Sequence, residues 1–376
     1  MTFSRAWLAL VLLVGCGASA EVSATTTTAD SSSAETVATT ETTETTASTT
    51  STSVAPTTTT EPTTTTQAKT QPPEVVRGLR VSEIVAGDRE KFDALLALAD
   101  ESVVNTLVFD TKTEAGDVLY ASEVDLAEEI GAVRDVYDPT ELIAAAREHD
   151  LYTITRVVTF EDDHWVGARP AASLEGTWMN AADRANWVYP IDLAVESCNL
   201  GFDEIQFDYV RFPDGQAARR AADRSAVPAT MEDRTAVIAE FLETARTRLA
   251  EAGCRTSAAI FGIVTASATD EGIGQTVDSL SGKVDALSPM LYPSHYGPGW
   301  IGFDDPNDHP GPVIAHALDS AAADMAPETK MQPWIQAFYY NGQQIQAQIA
   351  EAEQRGAGWM LWNYSGNYRT DWLPAS

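Results

Sequence analysis

An aspartate and an arginine three residues apart, Asp208 and Arg211, are the residues whose type and spacing most suggest chemistry in this chain. They close the stretch GFDEIQFDYVRFPDG, Gly201 to Gly215. Side chains alternate along a strand, so Ile205 and Phe207 face one way and Glu204, Gln206 and Asp208 the other. An apolar outer face over a polar inner one fits a strand of a closed parallel barrel, with helices packed outside. Pro213 ends the pairing and Asp214-Gly215 makes a turn, which leaves Asp208 and Arg211 at the carboxyl end of the strand. Barrel enzymes keep their reacting groups at that end. Glu204 and Gln206, deeper on the same face, read as a hydrogen-bonded layer of the barrel interior.

The elements that must position this pair follow from alternating strand-like and helix-like stretches, the pattern of a parallel α/β sheet. Strands are predicted at Arg77–Val81, Val103–Phe109, Leu151–Thr159, the stretch above, Thr256–Phe261, Ala286–Met290, Met331–Gln336 and Trp359–Trp362. Helices are predicted near Arg89–Leu98, Pro139–His149 (capped by Asp138), Ala185–Cys198, Met231–Ala252, Pro312–Met325 and Gly342–Arg355, with Gly272-Ile273-Gly274-Gln275 opening another. Eight strands with seven helical stretches between them read as a (β/α)8 TIM barrel spanning residues 74–376. Polar and aromatic residues gather at the predicted carboxyl ends: Asp110, Lys112, Arg156, Asp208, Arg211, Tyr292, His295, Gln336, Trp362 and Asn363. Trp165, Trp178, Trp300 and Trp334 offer flat apolar faces that could stack on a ring.

The preceding residues have a different character. Arg5, the apolar run Ala6–Val14, and Leu13-Val14-Gly15-Cys16 make an export signal too short to span a bilayer. It resembles a bacterial lipobox, which implies lipidation at Cys16 and attachment to the membrane through that lipid alone. Residues 17–73 are mostly Thr, Ser, Ala, Glu and Pro, a composition that cannot bury enough surface to offset the entropy of ordering, and read as a disordered tether. The expected location is therefore extracytoplasmic. Net charge is −31, which argues against a nucleic-acid partner. Cys198 and Cys254 precede the fourth and fifth strands, in neighbouring loops at the barrel floor, where an exported protein can form a disulfide; two unpaired thiols are the alternative. No histidine pair has metal-ligand spacing and Asp304–Asp308 lacks the glycine of a calcium loop, so no metal or cofactor is expected. The chain is expected to be a monomer.

The motifs LVFDTKTEAGDVLYAS, TITRVVTFEDD, GFDEIQFDYVRFP, GIGQ, LSPMLYPSHY and QPWIQAF occur in that order. Together they resemble a glycosyl hydrolase domain family of bacterial exported proteins, over about Val76 to Asn363. The resemblance implies a glycosidase-type barrel that acts on a polysaccharide or oligosaccharide. It places Asp110, Lys112, Arg156, Asp208, Arg211, Tyr292, Ser294 and His295 at family motif positions. By likeness to amylase-type barrels, Asp208 would be the nucleophile or the stabiliser of an oxocarbenium-like transition state. Arg211 or Arg156 would hold it ionised, and Asp110, Asp162 or His295 could supply the acid. Glu204 cannot be its partner: four residues of strand separate them by roughly 13 Å, against about 5–10 Å in glycosidase pairs. Two departures weigh the other way, because Ala259 and Ala337 stand where the family carries aspartates. The alternative implied is a barrel that binds glycan without cleaving it.

Overall fold

The computed structural model describes residues 69–223 and 225–374. The export signal, Cys16 and the tether as far as residue 68 lie outside the described residues. Eight parallel strands close into a barrel: β1 (Arg77–Val81), β2 (Thr106–Lys112), β3 (Tyr152–Val158), β4 (Glu204–Asp208), β5 (Arg255–Phe261), β6 (Ala286–Leu291), β7 (Lys330–Met331 continued by Trp334–Gln336) and β8 (Trp359–Trp362). Each pairs with the next, and Arg77–Leu79 of β1 pair with Trp359–Leu361 of β8 to complete the ring.

The alternation read from β4 sorts the molecule into two cores. Ile205 and Phe207 join Phe109, Ala258, Leu287 and Ile335 in the layer between sheet and helices. Val108, Ile154, Ala259, Trp334 and Met360 fill the barrel itself. Gln206 is part of that filling: it donates to Ser288 Oγ at 3.0 Å and accepts from Trp334 Nε1 at 2.7 Å. Lower down, Glu204 accepts from the Tyr152 hydroxyl at 3.2 Å. These bonds satisfy the Gln206 amide, as buried polar atoms require, while Glu204 Oε1 has no hydrogen-bond partner among the described residues.

The helices start where their caps stand. Asp138 accepts from Thr140 N ahead of Pro139–Glu148, Thr230 from Asp233 N ahead of Met231–Glu251, and Asn341 forms a capping box with Gln344 ahead of Gly342–Gln354. Pro310–Ala321 begins two residues before the predicted start, since proline is tolerated in a first turn. No helix among the described residues is long and apolar enough to cross a membrane.

Four expectations need correction. β2 starts at Thr106, not Val103, because the Asn105 side chain binds the backbone of Val75 and Arg77 and so belongs to the floor loop. β7 is broken at Pro333, which has no N–H to give a ladder. The Gly272–Gln275 segment opens no long helix; the crossover between β5 and β6 holds only the four-residue helix Val277–Leu280 and a 3-10 turn. Gly272 and Gly274 have φ of +79° and +81°, and their N–H groups point at the Asp270 carboxylate, which Arg234 also grips. Finally, residues 69–73 are not part of a solvated tether. Lys69 Nζ donates to the carbonyls of Cys198 and Phe202, and Thr70 N to Asp203 Oδ1, all just below the start of β4.

Cys198 and Cys254 are joined by a disulfide with a Cα–Cα distance of 6.0 Å. It ties the end of Val188–Leu200 to the entry of β5 at the same floor.

Candidate active site

A cavity of about 540 Å³ opens at the carboxyl ends of the strands. Asp208, Tyr209 and Arg211 line it from β4 and the loop beyond, Arg156 from β3, and Phe261 to Ile263 from the end of β5. Met290, Tyr292, His295, Tyr296 and Trp300 close another side, with Trp362 at the end of β8 and Tyr364 beyond it. Apolar and aromatic walls with a few polar groups are the usual make-up of a small-molecule site.

Arg156 organises the charges. Its guanidinium is 2% exposed and donates from Nε to Asp208 Oδ2 at 2.7 Å, from Nη1 to Asp110 Oδ1 at 3.3 Å and from Nη2 to Glu114 Oε1 at 2.7 Å. Two hydrogen bonds to adjacent nitrogens of one guanidinium hold the Asp208 and Glu114 oxygens within about 8 Å of each other. Burial works against the charge on Glu114, but the Arg156 guanidinium overrides it by charge and hydrogen bond and holds the carboxyl down to about 2. The other Asp208 oxygen accepts from Tyr209 N at 2.7 Å. Tyr209 has φ of +50°, a left-handed conformation that costs a non-glycine residue of order 1–3 kcal/mol. That local strain is what turns the chain under the carboxylate.

Four predicted site residues do not line the cavity. Asp110 is 3% exposed and wedged between Arg80 and Arg156, so it fixes the two arginines rather than facing a ligand. A bulge between Asp110 and Lys112 shifts the register and sends Lys112 into an ion pair with Asp162 at 2.9 Å, where both side chains are sealed. Asp162 also caps the next helix through Trp165 N, which removes it as a candidate acid. The Gln336 amide is spent on Ser294 N and Phe338 O, and the Asn363 amide on Ala337 O and Ser365. Both brace the rim loops. Among the predicted tryptophans, Trp300 lines the cavity, while Trp165, Trp178 and Trp334 are buried. Trp362 lies against Arg80 and Arg156, whose guanidinium carbons are 4.2 and 5.0 Å from its ring.

Other predicted residues do meet there. Tyr292 is buried, and burial, aided by the Asp208 charge, raises its hydroxyl well above the ordinary tyrosine pKa. His295 packs edge-on against Tyr292 with centroids 5.2 Å apart, and burial lowers its pKa below the usual histidine value. Glu114 was missed. It sits in the Thr113–Gly116 turn directly after β2, and an acid in the first turn beyond a barrel strand is the signal that could have found it. Glu161, beyond β3, accepts from Thr177 Oγ1 at 3.0 Å. Burial raises its pKa, and it feels the charges of Arg211 and Glu114. Ala259 lies inside the barrel, one inward position below the cavity-lining Phe261, whereas Ala337 belongs to the outer core.

The glycoside hydrolase domain of PgaB (BpsB) from Bordetella bronchiseptica superposes with a TM-score of 0.59 at 9% identity, over 78% of this chain and 95% of that one. The catalytic domain of beta-amylase from Paenibacillus polymyxa gives 0.51 at 11%, over 82% and 96%. At these identities the likeness is one of fold. A hypothetical protein from Ruminiclostridium thermocellum is 27% identical over 48% of this chain and 96% of its own, with a TM-score of 0.42. No curated protein sequence matches. Residues 78–368 match the family described as "putative glycosyl hydrolase domain", and the chain belongs to that family.

Proposed function

We propose that this protein hydrolyses glycosidic bonds of a polysaccharide or oligosaccharide through carboxylate chemistry centred on Asp208. The observation that carries the proposal is the placement of Asp208 and Glu114 on one Arg156 guanidinium at the wall of the cavity. Each carboxylate accepts from that guanidinium at 2.7 Å, which keeps the two negative charges together at one side of the cavity. Asp208 is held from two sides and serves as nucleophile or as stabiliser of the oxocarbenium-like transition state. Glu114, which keeps its charge to about pH 2, adds to the same field and cannot donate a proton at neutral pH. Glu161, whose pKa burial raises and which feels the charges of the cavity-lining Arg211 and Glu114, is the group assigned to protonate the leaving oxygen. The lipobox at Cys16 supports placing the activity at the cell surface, outside the cytoplasm.

A second reading is a barrel that binds glycan without cleaving it. Both Asp208 oxygens already accept hydrogen bonds, and Ala259 stands where the family carries an acid. Incubating the full chain with a glycan panel and identifying reducing-end products separates the two. Cleavage that disappears in Asp208→Asn supports hydrolysis. Binding without products, from wild type and variant alike, supports the second reading.

A further inference from the structure

Polar atoms of two residues that line the cavity make no hydrogen bond to any described residue. Arg211 is 6% exposed, and its guanidinium carbon lies 4.3 Å from the ring centroid of Phe261, 4.6 Å from Trp178 and 5.2 Å from Tyr209. Its Nη1 donates to Phe212 O at 3.0 Å and to Asp214 Oδ1 at 3.3 Å. The Asp214 side chain is 54% exposed, so solvent screens that pair. Nε and Nη2 bond no described residue. Aromatic rings satisfy the flat faces of a guanidinium but leave its in-plane N–H groups open. Burial pushes the Arg211 pKa below the ordinary guanidinium value, as expected for a cation short of counter-charge.

Phe261 leads directly into Gly262, where an added Cβ would stand 2.6 Å from the Tyr296 hydroxyl and 2.3 Å from Met290 O. Tyr296 is 9% exposed, its hydroxyl is buried without a partner, and it lines the same cavity. Glycine at 262 is what lets this hydroxyl approach the wall on which Arg211 packs. Asp208 and Glu114 bond Arg156 and make no hydrogen bond to Arg211, although the charges of Asp214, Asp208 and Glu161 partly offset its burial.

We propose that Arg211 and Tyr296 form a subsite for a carboxylate carried by the bound sugar, so that the protein selects glycans containing uronic acid residues. The proposal rests on the saccharide reading above. Nε–H and Nη2–H form the paired edge of a guanidinium, which matches the two oxygens of a planar carboxylate. The Tyr296 hydroxyl adds a third donor. A neutral sugar hydroxyl could accept one of these bonds but would leave the other in-plane N–H of a buried guanidinium unpaired, which is costly. The net charge of −31 opposes a polyanion at long range, yet beyond about 8 Å that repulsion is screened at physiological ionic strength.

Calorimetric titration of the full chain with a glucuronate-containing oligosaccharide, and with the same oligosaccharide after carboxyl reduction to primary alcohols, tests this. Wild type should bind the acidic ligand about 10-fold or more tightly than the reduced one. Arg211→Gln should bring that ratio near one, and Tyr296→Phe should lower it about 3- to 10-fold. Equal binding of both ligands by wild type would overturn the subsite, as would a ratio unchanged in the variants. Tyr296→Phe, which keeps the ring, carries the test if Arg211→Gln does not fold. A sulfated oligosaccharide of the same backbone binding more tightly than the uronate would overturn the carboxylate assignment. Binding of the reduced ligand with no acid preference removes the subsite alone; failure to bind either ligand or any neutral glycan removes the saccharide reading with it.

Discussion

Asp203 and Asp208 stand at opposite ends of β4, and both are buried, at 2% and 3% exposure. Asp203 spends its carboxylate on the chain itself. It accepts from Thr70 N and Arg147 Nη2 on one oxygen and from Thr153 N and Oγ1 on the other, and so staples three segments at the floor. Asp208 takes one bond from Arg156 and one from the amide of its own neighbour, and faces a cavity. Burial therefore does not separate a structural acid from a chemical one. What separates them is whether the lone pairs are used to join distant segments, and whether space for a ligand adjoins the carboxylate.

The largest expected effect breaks the comparison at its upper end. Asp208→Asn should lower turnover on a cleaved glycan by about 10³-fold or more. It should cost less stability than Asp203→Ala in urea unfolding, because asparagine keeps one acceptor oxygen and loses only one of the two bonds, whereas Asp203→Ala loses every bond its carboxylate makes. Near-normal turnover in Asp208→Asn would end its proposed role. At the floor, replacing Cys198 and Cys254 by serine should cost about 4 kcal/mol by the loop-entropy estimate for 56 residues of separation. Denaturant midpoints with and without reductant measure it. Asp203→Ala should cost about 3 kcal/mol, since it strands Thr153 N and leaves Arg147 short of its ion pair. Equal stability of that variant and wild type would refute the staple.

The smallest effect concerns pH. The Glu114 carboxyl is lower in the folded state, about 2, than its ordinary 4.5. Its contribution to stability is thus complete above about pH 4.5 and is lost as pH falls toward 2. The side chain is 42% exposed, so screening leaves about 1 kcal/mol or less. The stability gap between wild type and Glu114→Gln should be flat from pH 5 to 8 and close below 4.5. A gap that persists at pH 2 would show that the pair with Arg156 is not its source.

The fold was legible because its periodicity is local. The order Ile205 out, Gln206 in, Phe207 out, Asp208 in can be read from five letters, and it places Asp208 at the mouth without reference to any other strand. The site was legible only where a residue's partners did not matter. Lys112 lies at the right end of the right strand, yet a single-residue bulge delivers it to Asp162. Gln336 and Asn363 also lie at strand ends, but backbone groups of neighbouring loops claim their amides. Glu114 was missed for the converse reason: its place just after β2 marks it as a candidate, but the bond that ties it to the site comes from Arg156, 42 positions away. Whether a polar group is spent or available is decided by contacts between distant segments, which no pattern within one segment encodes.

The way the chain enters the barrel has a mechanical consequence. Lys69 and Thr70 grip the carbonyls of Cys198 and Phe202 and the carboxylate of Asp203, beside the disulfide and at the far end of the strands from the cavity. A pull applied at residue 69 would load those bonds first, beside a covalent crosslink. Such a load would enter at the end of the barrel opposite the mouth, so the carboxylates of the cavity would not be the first groups to bear it.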